Sequence, residues 1–323
     1  MGVKDLLRQA KKEVRWYKEY KAQLQGQEGD QVRFYNLWRE PFKETWFFRF
    51  LSARHLLDSS KKTIAFSSVF GPRAVIRYDR SDIHCFFTAE NIHHYYPEYS
   101  DLCQAEKKVG LSMGFDFFED ERYLRLPTWA LRFFSPEADY AGIKQRCAEL
   151  SRPAIGERDK FMSLVASWDP TGIRKDIYDA LKGIAPIDCP GKWNHNDNSL
   201  RDAFGDDKRA YLAHYRYDVC SENSNAYGYV TEKLFDAVEA GCVPIYWGSY
   251  NRPEQDILNQ EAILFWDYPG DNSATVRMID EMERNPRLFA DFASQPRLLP
   301  DAAEHVWEMY VKLEDRLREL IAQ

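Results

Sequence analysis

The chain predicts an α/β fold of two domains with parallel sheets, and three observations carry that expectation. Its 323 residues are more than one hydrophobic core usually serves. The first half holds three short apolar runs rich in β-forming residues, alternating with helical patterns. Residues 215–248 read as strand, polar loop, helix and strand, the unit that builds parallel sheets with right-handed crossovers.

The first helix is read over roughly residues 3–24 and ends at the polar break QGQEGDQ. TIAFSSVF (63–70), IHCFFTAEN (83–91) and VGLSMGFDF (109–117) are short, β-rich and bounded by polar or glycine-containing segments, so they are read as buried strands. A second half opens at FMSLVASWDP (161–170), a strand followed by the helix IRKDIYDALKGI (173–184). YRYDVC (215–220) alternates as a strand does. In VTEKLFDAVEAG (230–241), Leu234, Ala237 and Val238 fall on an apolar helical face and Glu232, Asp236 and Glu239 on a polar one. Thr231 is its candidate cap and Gly241 its stop. CVPIYWG (242–248) reads as a strand whose Pro244 demands an edge or end position. From Ser273 onward the pattern is helical. The domains are placed at 1–156, 157–300 and a terminal helix at 301–323 that is expected to return to the first domain.

Composition narrows the function. A net charge of −7 gives no general basic surface and disfavours nucleic acid as a partner, so an anionic ligand needs a local cluster of cations. The aromatic content of 15% suits a ring-rich core as well as sugar or base stacking. Cys85, Cys103, Cys147, Cys189, Cys220 and Cys242 are scattered, without CxxC or metal-ligand spacing, and are expected as reduced, packed thiols. No apolar run approaches the ~20 residues of a membrane span, so a cytoplasmic location is expected. The strongly charged first helix also suits peripheral association with an anionic inner membrane face, beside the plainer reading of a solvated surface helix.

The stretch SENSNAYGY (221–229) lies at the carboxyl end of one expected strand and leads into a helix amino terminus, where unpaired N–H groups attract phosphate. Lys233 sits in that first turn against the helix dipole, which a bound diphosphate or an outward surface position would explain equally well. Arg174, in ASWDPTGIR, repeats the arrangement at another strand end, although alone it reads first as a surface arginine. There is no GxxxxGK[ST] loop and no GxGxxG fingerprint, so P-loop and dinucleotide chemistry lack support. Metal-ligand patterns are also missing: there is no Asp-x-Asp triplet, His93 and His94 are adjacent, and WNHNDN has one histidine. A site that needs no metal and uses Arg174 and Lys233 is the simplest reading.

These residues carry a resemblance. ENS, YGYVTEK and AGCVPIYWG within 221–248 resemble the donor-binding signature of the α-1,3-fucosyltransferases. Upstream, FFTAEN resembles that family's FxTGEN segment, GFDFFEDERYLRLPTWA its GFDxxDxxRYLRxPxW segment, and ASWDPTGIRKDIYDAL the segment ending in an arginine and a short helix. The order is the same across most of residues 84–250, with Ala89 standing where the family usually shows glycine.

The resemblance implies a GT-B architecture, with two Rossmann-like domains facing across a cleft, and inverting transfer of L-fucose from GDP-fucose to an oligosaccharide acceptor. It implies no required cofactor or metal. Carried over by residue, Glu90 is the general base, Arg174 and Lys233 hold the diphosphate, Glu232 holds fucose hydroxyls, and Asn223, Tyr227 and Tyr229 line the donor site. Asn36 and Trp38, in FYNLW, are candidate acceptor contacts, while Trp129 and Trp247 are assigned to packing. The expected acceptor is a GlcNAc or glucose hydroxyl of a lactosamine-like or lipopolysaccharide glycan, linked α-1,3. Transfer of another GDP-deoxysugar, or noncatalytic binding of a nucleotide sugar or glycan, are the alternatives.

Overall fold

The structure is a computed structural model that describes residues 14–37 (except 16, 20 and 28), 44–57, 61–152 and 158–323. Most of the expected first helix, the basis of the membrane-surface expectation, lies outside the described residues, as do Trp38 and the expected boundary at 156/157; residues 21–26 are helical. Two compact units divide the chain. One comprises the described residues of Met1–Leu131 with Ser135–Glu137 and Glu308–Gln323, the other Arg132–Phe134 and Ala138–Trp307.

The first unit is built on a five-stranded parallel sheet in sequential order, β1 (Val32–Tyr35), β2 (Ile64–Ser67), β3 (Ile83–Phe87), β4 (Val109–Gly114) and β5 (Tyr123–Arg125). β2 and β3 are buried at every position, which is why IAFS and IHCFF read as continuous apolar runs without alternation. Helix α1 (Trp46–Ala53) packs on this sheet, with Phe47 stacked on Phe66 at 4.6 Å between ring centroids and edge-on to Phe87. Two shorter helices, α2 (Ala74–Tyr78) and α3 (Ile92–Tyr95), follow β2 and β3. The end of the chain belongs to the same unit: Tyr310 packs edge-on against Trp46 at 5.5 Å and Phe50 at 5.7 Å.

The second unit opens with α4 (Tyr140–Leu150), whose cap is Asp139. Its sheet has the order β10-β9-β8-β6-β7, all parallel. The strands are β6 (Lys160–Ser163), β7 (Ile187–Asp188), β8 (Tyr215–Ser221), β9 (Val243–Trp247) and β10 (Leu264–Phe265). The crossover helices are α5 (Ile173–Leu181), α6 (Ser199–Asp202), α7 (Lys208–Leu212) and α8 (Glu232–Ala240). The tail is helical as expected, in α9 (Ser273–Arg284), α10 (Pro286–Ala293) and α11 (Ala302–Ala322). Pro244 lies in an interior strand, yet β10 pairs only with Ile245 and Tyr246, so no ladder bond from that side is lost at the proline. Trp129 and Trp247 are buried packing residues, and all six cysteines are buried and unpaired.

Two local expectations are corrected. Asp236, placed on the polar face of α8, is buried and accepts a bond from Lys208 at 2.9 Å, because α7 covers that face. Thr231 occupies the cap position of α8 but makes no capping bond; its hydroxyl points elsewhere.

Beneath α8, Asp218 of β8 is buried with one carboxylate oxygen unpartnered. Burial pushes its carboxyl up to about 7 despite the attraction of Lys208, and Asp236 acts in the same direction. A carboxyl raised in the folded state contributes stability that is present below its unfolded value and is lost as pH rises through the folded one. Asp218→Asn should therefore raise the thermal midpoint at pH 8 by about 3–6 °C more than at pH 5. Scanning calorimetry at the two pH values tests this, and equal shifts would remove Asp218 as the titrating group.

Candidate functional site

The strand order of the second sheet locates a ligand site before any side chain is considered. From β6 the chain runs outward to β7 on one side and then to β8 on the other. The connections thus diverge between β6 and β8, and in open parallel sheets ligands bind beyond the carboxyl ends of the strands at such a point. Arg174 and the loop SENSNAYGY are the segments that follow these two strands.

Arg174 is no surface arginine: it is 3% exposed. Its guanidinium donates to the Trp168 carbonyl after β6, to the Ser221 carbonyl at 2.9 Å and to Asn223 Oδ1 at 3.0 Å, so it spans the β6/β8 crevice. The turn before it is fixed by Gly172, whose φ of 82° suits only glycine comfortably. The carboxylate of Asp169 accepts the amide protons of Gly172 (3.1 Å), Arg174 (3.3 Å) and Lys175 (3.0 Å). The amino end of α5 is therefore already closed by an acid, and only the Arg174 side chain carries positive charge into the crevice from there.

At the start of α8 the arrangement differs. Thr231 at the cap position makes no capping bond, and the buried carboxylate of Glu222 instead takes the Thr231 N–H and the Thr231 hydroxyl, each at 2.7 Å. Lys233 Nζ lies 3.2 Å from Glu222, 2.9 Å from Thr231 Oγ1 and 3.5 Å from Glu232. Burial works against the charge on Lys233, but Glu222 and Glu232 outweigh it and raise its pKa, so it stays protonated. The outward surface position is thereby ruled out, and a buried counter-ion is a third reason for a lysine at this helix end. Gly248 makes room for the carboxylate: its φ is 149°, and a Cβ there would stand 2.6 Å from Glu222 Cγ.

Glu232 is partly exposed beside this pair. Burial opposes its ionisation, but Lys233, its own backbone amide, Lys208 and Arg132 hold its carboxyl down at about 2. Asn223 is partly exposed next to Arg174, and Tyr227 is exposed, whereas Tyr229 is buried. The loop is fastened to the end of β9, where Gly228 N–H donates to Ser249 Oγ at 3.0 Å and Tyr250 N–H to Asn225 Oδ1 at 2.7 Å. Ser249, Tyr250 and Asn251 all adopt positive φ, from 47° to 55°, a strained run that leaves Tyr250 exposed at the same strand ends.

In the first unit, Glu90 lies in the loop between β3 and α3, partly exposed. Its N–H donates to Thr88 Oγ1 at 3.1 Å, and that hydroxyl donates to the Glu90 carbonyl at 3.2 Å. Ala89 does not adopt a positive φ, so alanine fits this loop without strain. Asn36 is buried with both ends of its amide engaged. Gln23 donates to its Oδ1 at 3.1 Å, and its own nitrogen donates to the Pro72 carbonyl at 3.2 Å, a bracing position that leaves little amide for an acceptor. Among the described residues no three His, Cys, Asp or Glu side chains converge as metal ligands, and no helix is long and apolar enough to cross a membrane.

Sequence reasoning gave no separate role to Glu222, within the ENS motif, or to Asp169, within the turn before Arg174, and it did not single out Tyr250. Glu222 had one available signal: an acid directly after a strand, followed by a first-turn lysine in search of a counter-charge.

Residues 156–296 match the model of the C-terminal part of glycosyltransferase family 10 (fucosyltransferase), and residues 32–132 that of the α-(1,3)-fucosyltransferase FucT N-terminal domain. The α-(1,3)-fucosyltransferase FucT of Helicobacter pylori is 29% identical over 243 residues, 64% of this chain and 47% of that protein. The chain thus spans about half the length of that curated relative. A crystal structure of an α1,3-fucosyltransferase superimposes with a TM-score of 0.62 at 20% identity, covering 90% of each chain. Another, with GDP-fucose, gives 0.57 at 20% identity over 88% of this chain and 89% of that one. The likeness to these structures shows the fold, that of the GT-B glycosyltransferases.

Proposed function

The chain belongs to glycosyltransferase family 10, the fucosyltransferases, and on that premise we propose that it transfers L-fucose from GDP-fucose to a sugar hydroxyl. The acceptor is a GlcNAc or glucose unit of a lactosamine-like or lipopolysaccharide glycan, the linkage is α-1,3, and the configuration at the fucose carbon inverts. The observation that carries the proposal is the placement of two cations, buried Arg174 and half-buried Lys233, at the ends of adjacent strands where the sheet's connections diverge.

In this reaction Glu90 takes the proton of the acceptor hydroxyl, the freed oxygen attacks the anomeric carbon of fucose, and the bond to the β-phosphate breaks. Negative charge grows on the departing GDP, so fixed positive charge there favours the transition state over the ground state. Arg174 and Lys233 supply it, beside the amino end of α8, which Thr231 does not cap. Glu232, ionised at neutral pH, accepts hydrogen bonds from fucose hydroxyls, while Asn223, Tyr227 and Tyr229 belong to the donor loop. The N-terminal part of the chain serves the acceptor and the C-terminal part the donor. No cofactor or metal takes part, and the six unpaired cysteines support a reducing, cytoplasmic setting.

A glycan panel with GDP-fucose, in EDTA, tests the reading, with linkage read by NMR. Fucose on O3 of a GlcNAc or glucose unit is expected, undiminished by EDTA. Turnover only with a different GDP-deoxysugar would replace the donor, and binding of GDP-fucose without turnover of any acceptor would leave a noncatalytic binding protein.

A further inference from the structure

We propose that Phe117 and Phe118 form an apolar platform that stacks against the acceptor sugar ring and so selects the acceptor. The inference rests on the reading of Glu90 as the base of a transfer to a sugar. Both phenylalanines lie in the loop after β4, the neighbour of β3, whose own following loop carries Glu90. They are 58% and 47% exposed, adjacent in sequence, in a protein whose other phenylalanines are mostly buried or half-buried where described. Exposed paired rings on a monomer's surface mark a contact site more often than chance placement does.

The two loops are stitched together. Thr88 N–H donates to the Met113 carbonyl at 3.0 Å, and His93, just past Glu90, bonds Asp116 at 2.7 Å. Asp116 directly precedes the platform, and its carbonyl accepts the Tyr123 hydroxyl at 3.1 Å. Each ring is also held in place. The Arg125 guanidinium lies 4.3 Å from the centre of the Phe117 ring, and Phe118 meets Tyr123 edge-on at 5.5 Å. Arg125 is itself anchored by a bond from its Nε to the Phe115 carbonyl at 3.0 Å. The rings are therefore preorganised and lose little freedom when covered.

The chemistry selects the occupant. A pyranose ring carries C–H groups on one face and hydroxyls on its rim, so it stacks on a flat ring while leaving a hydroxyl directed to a base. The loop also carries Glu119, Asp120 and Glu121 at its exposed rim, acceptors for sugar hydroxyls that repel an anionic ligand such as a nucleotide. A neutral sugar next to Glu90 fits both features.

The test uses the full chain with Phe117→Ala, Phe118→Ala, the double variant and Phe117→Trp. With N-acetyllactosamine as acceptor, the double variant should raise the acceptor KM by about tenfold while the KM for GDP-fucose stays constant, and the tryptophan variant should stay near wild type. An acceptor KM within about twofold of wild type overturns the proposal. So does loss of self-association with the KM unmoved, since the patch would then join two copies of the chain. Saturation-transfer NMR on N-acetyllactosamine reads the platform without turnover: the ring C–H signals should weaken in the double variant, and unchanged signals overturn it. Failure of the wild-type chain to transfer fucose, with the NMR difference present, would instead remove the fucosyl-transfer reading and leave the platform.

Discussion

Glu90→Gln leaves GDP-fucose binding intact and lowers fucosyl transfer by roughly 10²–10⁴-fold, the range general bases supply. The glutamine keeps the size and hydrogen-bonding reach of the side chain but no longer takes a proton at neutral pH. Thr88 holds the loop through backbone groups of residue 90, which the substitution does not touch, so the fold should be unchanged. The residues proposed to hold the donor are in the other unit, which is why binding and turnover should separate. Calorimetric titration with GDP-fucose and a transfer assay on the same preparation check this. Turnover within a few-fold of wild type would take Glu90 out of the mechanism.

Lys233→Ala lowers transfer by roughly 10²–10³-fold, the usual effect of removing one stabilising group from the leaving-group side. It also lowers the thermal midpoint, because Glu222 is left charged and buried without its cation. These two losses have different causes and can be divided. In the double variant Lys233→Ala with Glu222→Gln, the buried charge is gone, while the amide oxygen still accepts the Thr231 N–H. The midpoint should return toward wild type while transfer stays low. Recovery of transfer along with stability would mean that Lys233 serves only to neutralise Glu222.

Much of the fold was legible because its central strands are continuous apolar runs. IHCFF and VPIYW are buried throughout, and such runs between polar segments have few other homes. β5, with three residues, and β7 and β10, with two each, were not legible, since segments that short carry no period. The site divides in the same way. Arg174 and Lys233 were visible as cations at helix starts, and the resemblance gave them partners. Their surroundings were not visible, because these are set by contacts between loops that are distant in the chain: Arg174 with Ser221 and Asn223, and Lys233 with Glu222. Thr231 looked like a cap because capping is local chemistry, and it was redirected by a carboxylate that tertiary structure brought to it. The bracing of Asn36 was hidden for a related reason. Its amide joins Gln23 and the Pro72 carbonyl, partners 13 and 36 residues away in the chain.

The central claim is a single displacement that moves fucose from GDP to a sugar hydroxyl, with Glu90 proposed as the base and Arg174 and Lys233 as the holders of the departing diphosphate. The anomeric configuration of the first product tests it most directly, followed by NMR as GDP-β-L-fucose and N-acetyllactosamine react on the wild-type chain. The account predicts an α-linked fucoside from the earliest time point, with one GDP released per fucose transferred. A β-linked product, or GDP-fucose that is bound and never consumed, would contradict it.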